Sequence, residues 1–125
     1  MMEYNRWRSI KRAWSGILYT IRNEINFRIH LACTILVIMA GLTFSIETSE
    51  WLILLVLFAL VMSLELINTA IEKLCDRLHP DFDPSIGRVK DISAGAVLIS
   101  AFFSVIIGAI LFYPYIIRNL GIYDS

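Results

Sequence analysis

Hydrophobic positions come in three long runs joined by short polar connections. Residues 29–46 make eighteen positions in which His30 is the one strongly polar side chain. Residues 51–71 make twenty-one with Glu65 as the sole charge, and residues 92–117 make twenty-six with none. A bilayer core needs roughly 17–25 apolar residues per helix. The pattern therefore predicts three membrane-spanning helices, over about 29–46, 51–71 and 92–114.

The first 25 residues follow another rule. Trp7, Ile10, Trp14, Ile17, Leu18, Ile21 and Ile25 fall within about 100° of arc at helical pitch, while Arg8, Arg12, Ser15 and Arg22 point elsewhere. A basic amphipathic helix with two tryptophans on its apolar side is predicted over about 5–25, lying on the inner membrane surface. The alternative is a helix packed on other protein. The extended polar segment ahead of residue 29, and the lack of a small-residue cleavage site, set the first run apart from a secretory signal. With no internal repeat or low-complexity tract, residues 1–125 read as one all-α membrane-embedded domain.

Composition sharpens this picture. Of 125 residues 58% are hydrophobic and 18% charged, against about 25% charged in ordinary soluble domains. The net charge is zero, so no nucleic-acid partner is expected, and the placement of charge matters more than its sum. Arg6, Arg8, Lys11, Arg12, Arg22 and Arg28 precede the first span. Lys73, Arg77, Arg88 and Lys90 follow the second, and residues 47–50 hold no positive charge. The positive-inside rule then puts the N-terminus and the 72–91 connection in the cytoplasm and the C-terminus outside. Cys33 and Cys75 form no CxxC pair, so neither a disulfide framework nor a zinc site is expected.

The sequence ELINTAIEKLCD, residues 65–76, carries the candidate chemistry. Glu65, Asn68, Glu72 and Asp76 fall within about 80° of one another at helical pitch, with Thr69 at the border. A polar stripe thus starts inside the membrane and runs out of it. A charge at mid-bilayer costs about 2.5–3.5 kcal/mol on insertion scales, and intramembrane acids usually face a protein interior and mark a functional site. The bland alternative is an interfacial charge that anchors the helix end. Glu24 lies at the same interface, between the surface helix and the first span. Lys90 and Asp91 lie there too, at the start of the third span after a turn at residues 83–85. Several carboxylates with a lysine at one depth suit a Mg²⁺–nucleotide site, because Mg²⁺ is held by one or two carboxylates plus substrate phosphates. No GxxxxGK[ST] loop is present, so spacing alone does not establish ATP. His30 and His79 lack partners at metal-ligand spacing.

SLELINTAIE, the downstream KDISAGAV and the upstream NEINFRIHL resemble the small bacterial membrane kinases of the diacylglycerol kinase and undecaprenol kinase family. The resemblance covers almost the whole chain. It implies a homotrimer in the bacterial cytoplasmic membrane that uses ATP and Mg²⁺ to phosphorylate a membrane lipid alcohol at the inner interface. By this resemblance Glu65 is the general base, with Asn68 its neighbour in the motif. Glu24 and Glu72 are the metal carboxylates and also meet the nucleotide, as do Asp76, Lys90, Asp91 and Arg12. Asp81, Phe82 and Asp83 form the connection over ATP, although DFD departs from the aromatic-His pattern common there. Trp14 joins Glu65 on the lipid substrate. The motifs are nearer the undecaprenol kinase branch, whereas the diacylglycerol branch tends to NSAIE and KDMGSAAV. The competing reading is a non-enzymatic subunit of a small oligomeric transporter that uses Glu65 as a proton or cation site. Acids clustered at one face, rather than at the midplane, disfavour it.

Overall fold

The computed structural model describes residues 5–122, so the outermost residues of the 1–125 domain lie outside the described residues. Four helices follow one another: α1 (Arg6–Asn23), α2 (Ile25–Phe44), α3 (Thr48–Leu78) and α4 (Pro84–Asn119), with no strand among the described residues. α2, α3 and α4 are each long and apolar enough to cross a membrane.

The helices begin and end where the backbone finds caps, rather than where the apolar runs begin and end. Asn5 opens α1 by accepting from the Trp7 N–H at 3.2 Å. Glu24 then stands alone in extended backbone (φ −115°, ψ 114°), and α2 starts at once behind it. That is four residues before the apolar run, because helical bonding resumes as soon as the extended residue is passed. α2 stops at Phe44, two residues short of the expected end. Ser45 there turns left-handed (φ 51°) and the Ile46 N–H closes onto Gly41 O at 3.2 Å. Gly41 is required at this corner: a Cβ there would sit 2.7 Å from the Trp51 ring.

α3 has 31 residues and is opened by a capping box between Glu47 and Glu50. It continues through Leu78, beyond the expected end at residue 71, so Glu65, Asn68, Glu72 and Asp76 share one uninterrupted helix. The turn expected at residues 83–85 is instead a helix start. The Asp83 carboxylate accepts from the N–H groups of Ser85 and Ile86, and Pro84 fills the first turn, where a missing N–H costs nothing. Lys90 and Asp91 therefore lie inside α4. Pro114, the expected limit of the third span, is also inside α4, which ends at Asn119.

α3 and α4 run antiparallel. Glu50 meets Tyr115 at one end of the pair, and Asp76 meets Lys90 at the other. The two ends have different interiors. Near the Tyr115 end Ile46, Leu54 and Leu111 form an apolar core, with Phe44, Trp51 and Phe112 packed on it. Towards the Lys90 end the buried polar side chains are Thr20, Glu65, Asn68 and Thr69, beside the buried Phe27 and Cys75. The outward surface is a belt of exposed apolar residues that includes Leu36, Val56, Leu98, Val105 and Ile110. An apolar surface of this extent needs lipid or another protomer against it.

Candidate active site

The polar interior is built on α3. One turn separates Glu65 from Asn68 and Thr69, and one more leads to Glu72, so the four side chains lie along one stripe of α3. Glu65 is 3% exposed and Asn68 5% exposed within a single protomer. The Asn68 amide donates to Glu72 Oε1 at 3.3 Å. Its own Oδ1 is buried without a partner. A buried acceptor left open costs free energy and is the kind of atom that a ligand completes.

α1 supplies the roof. Its C-terminal half packs beside α3 through Thr20, and the junction residue Glu24 reaches Lys73 on α3, with Nζ 3.0 Å from Oε1. The Lys73 ammonium also sits 5.1 Å from the Tyr19 ring centroid. The Glu24 carboxylate first, and then Tyr19, raise the Lys73 pKa and keep it cationic. His30, Glu24 and Glu72 all lie within electrostatic reach of Glu65. The N-terminal half of α1 covers nothing: Trp7, Ile10 and Trp14 are exposed, Trp14 by 61%. That face meets none of this protomer's own helices, as a helix lying on a bilayer surface requires.

A second polar group closes the α3–α4 connection. Lys90 Nζ lies 2.8 Å from Asp76 Oδ1, and this hydrogen bond raises the Lys90 pKa. Glu72 also acts on Lys90, so the two groups form one continuous charged surface. In the connection Asp83 is committed to capping α4, and the His79 ring nitrogen meets Asp81 O at 3.0 Å. Phe82 is 91% exposed. Arg12 and Asp91 are exposed and make no ion pair with the described residues.

Glu24, Glu65, Asn68, Glu72, Asp76 and Lys90 are thus brought to one end of the bundle, whereas Arg12, Trp14, Phe82 and Asp91 stand free at its edge. Lys73, Tyr19 and Thr20 are the members that sequence reasoning missed. Lys73 lies about 60° outside the carboxylate stripe at helical pitch and registers in the sequence only as a positive charge on the cytoplasmic side. Its proximity to Glu24 arises from the folding of α1 over α3, which periodicity does not encode. Among the described residues no three His, Cys, Asp or Glu side chains converge into a metal cage.

Residues 11–112 match the family model of prokaryotic diacylglycerol kinases. The chain belongs to that family. Its curated relatives include an undecaprenol kinase of Bacillus subtilis, 39% identical over 90% of this chain and 92% of that protein. A diacylglycerol kinase of Synechocystis is 36% identical over 85% of this chain and 61% of that protein. The diacylglycerol kinase of Escherichia coli is 29% identical over 82% of this chain and 84% of that protein. The family is one of lipid kinases, which sets the transporter reading aside.

Proposed function

We propose that this protein transfers the γ-phosphoryl group of ATP to the hydroxyl of a membrane lipid alcohol, with a polyprenol such as undecaprenol preferred over diacylglycerol. The observation that carries the proposal is the stripe of buried Glu65 and Asn68 and half-buried Glu72, which continues along α3 to the exposed Asp76–Lys90 pair. A lipid hydroxyl arrives laterally from the bilayer and ATP arrives from water, and only a site that spans both environments can join them. The preference for a polyprenol rests on the motif resemblance and on the higher identity to the Bacillus undecaprenol kinase than to the two diacylglycerol kinases.

In this reading Glu65 takes the hydroxyl proton, the lipid oxygen attacks the γ-phosphorus, and the bond to ADP breaks. Asn68 holds Glu72 in place through its amide and leaves Oδ1 open to a donor. Lys90 meets phosphate oxygens as a point charge, with Asp76 fixing its position. The residues present fit Mg²⁺. Glu24 and Glu72 offer hard oxygens, and the open Asn68 Oδ1 adds another, while a site without a full cage suits an ion that retains waters and binds phosphates. When bound, Mg²⁺ would neutralise charge on the phosphates. Asp81, Phe82, Asp83, Asp91 and Arg12 would contact the nucleotide at the rim, and Trp14 would contact the lipid.

By the same reading the assembly is a homotrimer in the bacterial cytoplasmic membrane, with the Lys90 end inside. The shielding of Glu65 does not argue for the trimer, since one protomer already buries it. The support is the exposed apolar belt and the family resemblance. Purified protein supplied with labelled ATP and a panel of lipid alcohols tests the function. Label should pass to the polyprenol with higher kcat/KM than to diacylglycerol. Diacylglycerol turning over about ten times better at equal mole fraction, a difference of about 1.4 kcal/mol in transition-state binding, would reverse the lipid assignment.

A further inference from the structure

The Glu24 backbone is bonded to both flanking helices, through Thr20 O and the Arg28 N–H, but its side chain is bonded to neither. Glu24 stands in extended backbone between α1 and α2, and its carboxylate caps neither helix. Its ion pair among the described residues is with Lys73, whose Nζ lies 3.0 Å away and is also held over the Tyr19 ring. Both side chains are partly exposed, and the lysine sits on a flexible stem. Glu24 and Glu72 both lie within electrostatic reach of Glu65, and like charges repel unless a cation offsets them.

The geometry points to Lys73 as the resident counter-cation of this site, one that holds Glu24 in position and that competes with a divalent ion for the Glu24 carboxylate. The inference rests on the reading of Glu24 and Glu72 as metal carboxylates. The ammonium holds Glu24 Oε1 at 3.0 Å, so a metal ion at about 2.0–2.1 Å must either displace it there or take the other oxygen against the repulsion of a neighbouring positive charge. A partly exposed ion pair is weak, so exchange is easy and the competition is modest. Lys73 is then a positioning residue that works through Glu24. Its removal should strengthen the binding of a bare divalent ion, whereas a purely structural lysine, once lost, would weaken it.

The test is Mn²⁺ binding to the nucleotide-free, detergent-solubilised full chain, read from the electron paramagnetic resonance signal of free Mn²⁺. Wild type is compared with Lys73→Met, Glu24→Gln and their double variant, and with Lys73→Arg and Glu72→Gln as controls. Lys73→Met should bind Mn²⁺ roughly two- to five-fold more tightly than wild type, the range that loss of an exposed ion pair allows. The gain should vanish in the Glu24→Gln background, because the competition is for that carboxylate. Lys73→Arg, which retains the charge, should bind no more tightly than wild type and guards against a folding defect in Lys73→Met. Unchanged or weaker binding in a folded Lys73→Met protein overturns the inference. An equal gain in both backgrounds also overturns it, since a general field effect would then suffice. If Glu24→Gln and Glu72→Gln both bind Mn²⁺ as wild type does, the metal reading itself fails and the inference fails with it.

Discussion

Asp76 on α3 and Lys90 on α4 meet at 2.8 Å across the connection between the two helices. The pair is largely in water, so it holds the connection only weakly. Its value lies in holding a positive charge on Asp76, which lies one turn along α3 from Glu72. Lys90→Met should therefore leave the thermal midpoint close to wild type while kcat/KM for ATP falls by about 10²–10³, the usual cost of losing one group that stabilises developing charge. A melting curve beside an ATP titration separates the two effects. A large loss of stability with an unchanged KM for ATP would make Lys90 a structural residue.

The pH behaviour of the same pair follows from its sign. The Lys90 pKa is raised above the ordinary lysine value of 10.5. A raised lysine stabilises the folded state fully below its unfolded pKa and loses that contribution as pH climbs through the folded value. The pair should be intact throughout the neutral range and open only in strong alkali. Any titration of activity near neutrality should thus be the same in Lys90→Arg as in wild type, and a shifted profile would contradict this.

Glu24 approaches the site from the α1–α2 junction and Glu72 from α3, Glu72 with the Asn68 amide on one oxygen and Glu24 with Lys73 on one of its own. If they hold the metal, Glu24→Gln and Glu72→Gln should each lower activity chiefly by raising the Mg²⁺ and ATP concentrations required. Excess Mg²⁺ should restore part of the rate. Mg²⁺ titrations that superimpose on wild type in both variants would leave these acids as interfacial anchors.

The three long helices and their order were legible from hydropathy, because each span repeats one physical demand over about twenty residues. The ends were less legible. Glu24 in extended backbone, Ser45 in the left-handed region and Asp83 as a cap each set a boundary by a local backbone event that an apolar run does not record. Within the site, the α3 stripe could be read because it lies on one helix. The Lys73–Glu24 contact could not, since it depends on how α1 lies across α3.

Ser100, Ser104 and Gly108 recur every fourth residue on α4, a spacing that permits close approach of a second helix. Both serine hydroxyls are satisfied inside α4, Ser100 by Val97 O and Ser104 by Ser100 O. A Cβ at Gly108 would meet nothing within 4 Å in this protomer. Gly108→Leu should therefore leave the protomer folded while shifting the protein from trimer to smaller species in mild detergent, with loss of activity. A wild-type protein that is monomeric and active under those conditions would contradict the trimer.

The most direct measurement is label transfer from γ-labelled ATP to a lipid alcohol in reconstituted bilayers, with wild type beside Glu65→Gln. Glutamine preserves size and hydrogen bonding but cannot take the hydroxyl proton. The loss of a general base costs about 10²–10⁴ in rate, while Glu24, Glu72 and Lys90 still bind ATP and Mg²⁺. Wild type should label the lipid. Glu65→Gln should assemble and bind nucleotide with nearly normal affinity, yet lose at least about 10² in kcat. A near-normal kcat in Glu65→Gln, or no lipid-dependent transfer by wild type, would contradict the assignment of this buried acid as the base.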